Sequence, residues 1–320
     1  MHSSSDAKAL SDREPRLIGV DWGTSSCRAY LMNAEGRILE AVSTDKGILQ
    51  IEGGAFAETL AELIGAWRRS GLPVILSGMI GSRQGWIEAP YVTIPATFDE
   101  IAQALVRHPD DGDIYIAPGL AQDLPGQAPD VMRGEETQII GAVGEASGRQ
   151  LLVMPGTHSK WVLIDDRKVI WFATFMTGEL FAVLKNHSIL GRLMTISDGE
   201  QDQGAFEKGL DAAKTLPGGL LQHLFSARTL GLFERLPEDG IAAYLSGLLV
   251  GHELEEALGN LESRSDLPLV TVIGASALAH RYVDALGHSG LQAQNAGEDG
   301  AAHGQRRLAL ARKLLLSPNG

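Results

Sequence analysis

The chain of 320 residues has a single cysteine, Cys27, so it forms no internal disulfide and cannot build a cysteine-rich zinc or iron–sulfur site on its own. A reducing cytoplasm is the expected setting. No apolar run approaches the ~18 residues a membrane helix needs. The longest, Leu245 to Val250, is broken by Gly247 and bounded by Gly251. The opening Met1-His2-Ser3-Ser4-Ser5-Asp6 has neither an apolar core nor a cleavage site, and residues 1–14 read as a frayed tail. Positive charge is scarce: 27 Lys and Arg stand against 40 Asp and Glu, for a net charge of −13. No basic run exceeds Arg306-Arg307. Nucleic acid, which requires a basic face, is not expected as a partner, and any anionic ligand must be held by local cations and backbone N–H groups. Glycine is in excess, with 38 residues and no collagen-like or linker-like period. The glycines fall at the ends of apolar runs, where backbone must turn or let a ligand approach.

Leu17 to Trp22, Cys27 to Met32 and Arg37 to Val42, joined by Gly23-Thr24-Ser25-Ser26 and Asn33-Ala34-Glu35-Gly36, predict an antiparallel meander. The spacing of Phe56, Leu60, Leu63, Ile64 and Trp67 predicts a helix over 55–69. Val74-Ile75-Leu76 reads as a buried strand ending in a glycine-rich loop, Ser77 to Gly85. Thr97 and Glu100 form a capping-box pattern for a helix that Pro109 closes. Ile114 to Ala117 is a strand, 118–129 a loop, and 134–145 a helix. The opening pattern then returns: Leu151 to Pro155, Gly156-Thr157-His158-Ser159, Trp161 to Ile164, an Asp165-Asp166-Arg167 turn, and Val169 to Thr174. Val153 stands where Val20 does, and Ser159 where Ser26 does. The match suggests duplication, with two halves each carrying a Gly-Thr-x-Ser tip. Helices are expected over 178–190, 203–213, 220–230 and 239–258, a strand over 269–273, a helix after Gly274-Ala275-Ser276, and a last basic amphipathic helix over 301–316.

A tight turn of Gly, Thr and Ser offers backbone N–H groups and hydroxyls to phosphate oxygens, although it is also ordinary hairpin chemistry. Two such tips, Gly23-Thr24-Ser25-Ser26 and Gly156-Thr157-His158-Ser159-Lys160, suit the β- and γ-phosphates of ATP. Asp21 has no counterpart in the second half, where Met154 and Pro155 stand. A carboxylate beside a phosphate nest suits Mg²⁺ held through water; its alternative is capping its own turn.

Four strings in this order resemble the 2-dehydro-3-deoxygalactonokinase family, within the acetate and sugar kinase/actin-like ATPase superfamily. They are Val20-Asp21-Trp22-Gly23-Thr24-Ser25-Ser26, Ser77-Gly78-Met79-Ile80-Gly81-Ser82-Arg83, Met132-Arg133-Gly134-Glu135-Glu136-Thr137-Gln138 and Pro155-Gly156-Thr157-His158-Ser159-Lys160-Trp161. The resemblance runs from about Leu17 to the C-terminal helix. It implies an α/β chain of two ribonuclease-H-like domains (the actin-like ATPase fold) flanking a central cleft. The domains are expected over 15–148 and 149–320, with the last helix packing back on the first. It also implies Mg²⁺–ATP as donor and the 6-hydroxyl of 2-keto-3-deoxy-galactonate as acceptor.

Related sugar kinases place the catalytic carboxylate near the start of the helix before the second hairpin, which points here to Glu135 or Glu136. Many relatives carry Asp in that region, and two N-terminal glutamates also complement a helix dipole. Arg83, with its neighbour Ser82, and Arg133 are the cationic candidates for the substrate carboxylate, each with a surface or capping role as its rival. His158 and Lys160 are phosphate or substrate candidates, and Gly178 and Glu179 sugar-hydroxyl candidates or helix caps. Gly274-Ala275-Ser276 suits the adenosine side, because small residues let a nucleotide lie on backbone. Cys27 reads as a small strand residue. Other sugar kinases of the superfamily, and an actin-like or chaperone-like ATPase, are the competing readings. A homodimer is compatible with the sequence and not required by it.

Overall fold

The computed structural model describes residues 14–69, 71–194, 202–261, 269–274 and 276–315, and of Ser276 the backbone alone. The expected tail lies outside these residues up to position 13. The chain divides into two compact units. Unit 1 takes in the described residues of Met1–Gly148, Ile164–Trp171 and Glu298–Gly320, and unit 2 those of Arg149–Leu163 and Phe172–Gly297.

Unit 1 begins with β1 (Leu17–Trp22), β2 (Cys27–Met32) and β3 (Ile38–Thr44), the expected antiparallel meander. Next come α1 (Phe56–Ile64) and β4 (Val74–Ser77), which pairs parallel with β1 so that Ser77 lies opposite Asp21. Helix α1 buries Phe56, Leu60 and Ile64, one per turn, but ends before the expected 69, because Gly65 follows and the chain loosens into a turn. Trp67 in that turn is still buried, its Nε1 donating to Glu40 at 2.9 Å.

Beyond β4 lie β5 (Tyr91–Thr93), β6 (Ala96–Thr97), α2 (Phe98–Gln103), β7 (Val106–Arg107), β8 (Ile114–Ile116), β9 (Gly119–Gln122), β10 (Asp130–Met132) and α3 (Glu135–Val143). The capping box at α2 is present: Thr97 accepts from the Glu100 N–H at 3.2 Å, and the Glu100 carboxylate accepts from the Thr97 N–H at 2.7 Å. The helix stops at Gln103, short of Pro109, and β7 follows. The segment expected as loop over 118–129 instead holds β9, which joins β10 and β5 in a small sheet. The main sheet has the order β3-β2-β1-β4-β8-β7. Ile18, Val20, Trp22, Leu31, Val74, Leu76, Ile114 and Ile116 form its core with α1.

The chain continues with β11 (Arg149–Met154), β12 (Ser159–Asp165), β13 (Lys168–Phe175), α4 (Thr177–His187), α5 (Gln203–Thr215), α6 (Leu220–Leu224), α7 (Ser226–Leu232), α8 (Ile241–Gly259), β14 (Val270–Val272), α9 (Ser276–His288), β15 (Ala293–Asn295) and α10 (Gly300–Ala311). The helix expected over 220–230 is two short ones meeting at Phe225. Unit 2 strands follow the order β13-β12-β11-β14-β15, the same as β3-β2-β1-β4-β8 in unit 1, with β14 parallel to β11 as β4 is to β1. Two units of one strand order agree with the repeated tip motif.

Helix α10 belongs to unit 1 and lies against α3. A Cβ on Gly304 would sit 1.8 Å from the Thr137 carbonyl oxygen, so the two backbones touch where only glycine fits. No helix among the described residues is long and apolar enough to cross a membrane.

Candidate active site

In unit 1, β1 alternates its side chains so that Trp22 enters the core while Asp21 points to the opposite face. Trp22 anchors the turn: its Nε1 donates to the Lys46 carbonyl at 2.9 Å and its ring meets Phe56 edge-on, centroids 5.8 Å apart. The following tip is closed by the Gly23 N–H donating to the Ser26 carbonyl at 2.9 Å, and Thr24, Ser25 and Ser26 face solvent. Burial pushes the Asp21 carboxyl up to about 6, with the charge of Glu135 adding to the rise; Arg28, opposite it on β2, and a hydrogen bond from Ser77 pull the other way. Ser77 Oγ in turn accepts from the side-chain amide of Gln305 on α10 at 2.9 Å, and both residues are fully buried. A hydroxyl that accepts from the amide has its one proton left for Asp21.

Two glycines bring α3 to this carboxylate. Gly78 has φ 91°, and a Cβ there would lie 2.7 Å from the Trp22 carbonyl oxygen and 3.2 Å from Asp21 Oδ1. Gly134 has φ 107°, and its Cβ would lie 3.1 Å from Gly78 Cα. Glycine at both places lets the N-terminus of α3 seat against the end of β4. The adjacent glutamates then part company. Glu136 is 1 % exposed, one oxygen accepting from the Gly134 N–H at 2.6 Å and the other from the Thr137 hydroxyl at 2.9 Å. Burial, with the charge of Glu135, pushes its carboxyl up to about 8. Glu135 is half-buried, accepts from the Arg133 N–H at 3.0 Å, and is the charge Asp21 feels.

Arg133 is 8 % exposed, stacks over the Tyr91 ring at 4.2 Å and donates from Nη2 to the Ala89 carbonyl at 2.8 Å. Its Nε and Nη1 are buried without a partner, as is the hydroxyl of Ser82. A Cβ on Gly81 would lie 3.1 Å from Nη1, which places the guanidinium against the glycine-rich loop. Arg83, in the same loop, faces solvent with its side chain 87 % exposed and pairs with Glu88 at 3.4 Å.

In unit 2 the second tip, Gly156-Thr157-His158, follows β11, with Thr157 and His158 exposed. Helix α4 seats directly on it. A Cβ on Gly178 would lie 2.3 Å from the Gly156 carbonyl oxygen, and the Glu179 N–H donates to the Thr157 carbonyl at 3.0 Å. The Glu179 carboxylate meets His158 Nε2 at 2.5 Å. Gly178 and Glu179 therefore hold the tip. Two tip candidates turn inward: Ser159 is fully buried with its hydroxyl donating to Glu253 at 2.7 Å, and Lys160, 4 % exposed, donates to the His158 carbonyl at 3.3 Å. On β12, Ser159 and Trp161 share one face and both donate to Glu253, which commits the serine. Gly274 lies beside the tip, its Cβ position 3.6 Å from the Pro155 carbonyl oxygen. Ala275 falls outside the described residues, and of Ser276 only its place at the start of α9 is described.

No cluster of three or more His, Cys, Asp or Glu residues among the described residues forms a protein-only metal cage. Asp21 fits a divalent cation that keeps its water and is carried on phosphate oxygens, because a cation there would relieve the repulsion between Asp21 and Glu135. Arg28, Ser77, Gln305 and Glu253 are additions to the residues expected from sequence. Register across β1 and β2 could have indicated Arg28; no local signal indicated the others.

Comparison with known proteins shows the family and the fold. A family model described as 2-keto-3-deoxy-galactonokinase matches residues 21–308. The 2-dehydro-3-deoxygalactonokinase of Escherichia coli K12 is 37 % identical over 270 residues, 84 % of this chain and 89 % of that one. A Rhizobium meliloti protein whose name carries the same activity is 38 % identical over 286 residues, 88 % and 92 % of the two chains. A crystal structure from Sinorhizobium meliloti, titled with the same activity, superposes with a TM-score of 0.86 at 38 % identity, covering 92 % of this chain and 98 % of that one. Component A of the (R)-2-hydroxyglutaryl-CoA dehydratase of Acidaminococcus fermentans, at 10 % identity and a TM-score of 0.50 over 93 % and 98 % of the chains, shows the fold alone. The architecture is the two-domain α/β fold of the actin-like ATPases.

Proposed function

We propose a residue-level mechanism for a chain that belongs to the 2-keto-3-deoxy-galactonokinase family, a membership shown by the matched span and by both named relatives. The chain is a sugar-acid kinase that phosphorylates 2-dehydro-3-deoxygalactonate; neither another sugar nor a non-kinase ATPase cycle is its activity. The donor is ATP and the acceptor is the 6-hydroxyl. The acceptor oxygen forms a bond to the γ-phosphorus, the bond to the bridging oxygen breaks, and ADP leaves with the hydroxyl proton passed to protein. The setting is the cytoplasm, where ATP is plentiful and Cys27, buried and free, stays reduced.

Glu135 is the base. Its carboxylate is accessible, whereas Glu136 has both oxygens engaged and is closed off from substrate. Asp21, aligned by Ser77 and Gln305, holds the Mg²⁺ that accompanies ATP. When bound, that ion neutralises charge on the phosphate oxygens. The N–H groups of Thr24 to Ser26 and of Gly156 to His158 receive the phosphates, and Gly274 gives the adenosine side a backbone without bulk. Arg133 takes the substrate carboxylate with Nη1, the nitrogen beside Gly81, assisted by the Ser82 hydroxyl; the Nη2 hydrogen bond to Ala89 and the ring stacking fix the guanidinium in advance. Arg83 stays at the exposed rim of the loop.

The observation that carries this reading is the convergence of Asp21, Glu135 and an Arg133 with two orphaned buried nitrogens about the Gly78–Gly134 contact. An ATP-coupled assay on 2-keto-3-deoxy-galactonate and its gluconate epimer tests it. E135Q should lower kcat by about 10²–10⁴-fold while E136Q retains most turnover. R133K should raise KM for the acid more than about tenfold, with KM for ATP steady. Normal turnover in E135Q removes the assignment of the base.

A further inference from the structure

Glu253 lies on α8 and is 2 % exposed, while the nearby Glu256 faces solvent. Its Oε1 accepts from Ser159 Oγ at 2.7 Å and from Trp161 Nε1 at 2.8 Å, and its Oε2 from the Tyr282 hydroxyl at 2.8 Å. The Thr177 side chain adds a fourth hydrogen bond. Burial pushes this carboxyl above its ordinary value, and the four hydrogen bonds pull it back. No Lys or Arg pairs with it among the described residues. A buried carboxylate without a counter-cation persists only where donors satisfy its lone pairs, and here four side chains donate to it.

Those four donors belong to the elements that surround the second tip. Ser159 is the first residue of β12 and the exit of Gly156-Thr157-His158. Thr177 opens α4, whose Gly178 and Glu179 rest on the tip backbone. Tyr282 sits on α9, the helix that follows Gly274. One carboxylate therefore ties the strand leaving the tip, the helix leaning on it and the helix beside it. A fully satisfied buried network of this kind selects one backbone geometry.

We propose that Glu253 is a positioning residue for the second hairpin tip, setting its backbone for the nucleotide phosphates through Ser159 and Thr177 while touching no ligand. This rests on the reading of that tip as a phosphate cradle. A glutamine at this place would supply two acceptor sites instead of four and turn an N–H₂ group toward donors, so E253Q keeps the volume and breaks the network.

The test uses the full chain as E253Q, S159A and the double variant, with kcat, both KM values, ADP binding by calorimetry and thermal unfolding. E253Q is expected to raise KM for ATP and Kd for ADP about tenfold and to leave KM for the sugar acid within about twofold. S159A should cost about threefold, and the double variant no more than E253Q alone, because both break one network. Where E253Q does not yield folded protein, Y282F and T177V each remove one donor and should weaken ADP about threefold. An equal rise in both KM values, unchanged ADP affinity in a folded variant, or additive losses in the double variant would overturn the proposal. G156A separates the layers. If it binds ADP normally, the cradle reading falls; if it weakens ADP while E253Q does not, this proposal alone falls.

Discussion

Gly156 and Gly178 face each other across the second tip but differ in what a methyl group would meet. A Cβ on Gly156 has no atom within 4 Å, and its φ lies outside the left-handed region, so G156A should fold as well as the parent. Replacing glycine by alanine at such a site stabilises by about 0.4–1 kcal/mol through the unfolded chain. The open space beside Gly156 is where the phosphate is placed, and a methyl there would cost one charge-assisted hydrogen bond, about 1.5–3 kcal/mol. At about 1.4 kcal/mol per decade, KM for ATP and Kd for ADP should rise roughly ten- to a hundredfold. G178A is the contrast: its Cβ would press to 2.3 Å from the Gly156 carbonyl oxygen, so the helix must back away at about 1–3 kcal/mol of stability. Steady-state kinetics, ADP titration and a thermal melt on both variants read the difference. G156A should lose nucleotide affinity at an unchanged or raised Tm, and G178A should lose both. An unchanged KM for ATP in G156A would refute the placement of phosphate on this backbone.

Glu136 should make stability depend on pH. Its folded value of about 8 lies above the ordinary 4.5, so the folded state holds a proton that the unfolded chain releases, and stability falls as pH rises from about 5 to 8. The loss is on the order of 3 kcal/mol; E136Q should flatten that slope in urea unfolding at several pH values, and an unaltered slope would count against the buried acid. G304A should destabilise by about 1–3 kcal/mol, because the added methyl falls 1.8 Å from the Thr137 carbonyl oxygen, and guanidinium unfolding should show a lower midpoint.

Much of the frame was legible because it is local. The Gly-Thr-Ser tips, the Thr97–Glu100 capping box and the meander each occupy a few consecutive residues whose types prescribe their turns. The rest depended on distance in the chain. Ser159 reads as a tip hydroxyl until β12 is seen to place it on the face of Trp161. Glu253 stands in the string Glu253-Leu254-Glu255-Glu256, which resembles a solvated helix end, and only the line Val250, Glu253, Leu254, Ala257 turns it inward. Gln305 reaches Ser77 across 228 residues through a β4–α10 contact that no motif signals. β9 passed for loop because a strand of four residues among glycine and proline has no period to read. The two glutamates were inseparable in sequence, and only the reach of the Gly134 N–H and the Thr137 hydroxyl sorts them.

Helix α10 has a consequence for how the protein is made. Its Gln305 is made 228 residues after Ser77, yet it lies beneath that serine, and the helix supplies the glycine face against α3. During translation the first-made part of unit 1 must wait, its β1–β4 floor uncovered and α3 without a backing, until residues 300–311 have emerged. A polypeptide halted before residue 298 would carry Asp21, Glu135 and Glu136 in its own sequence and still lack the piece that closes the layer around them.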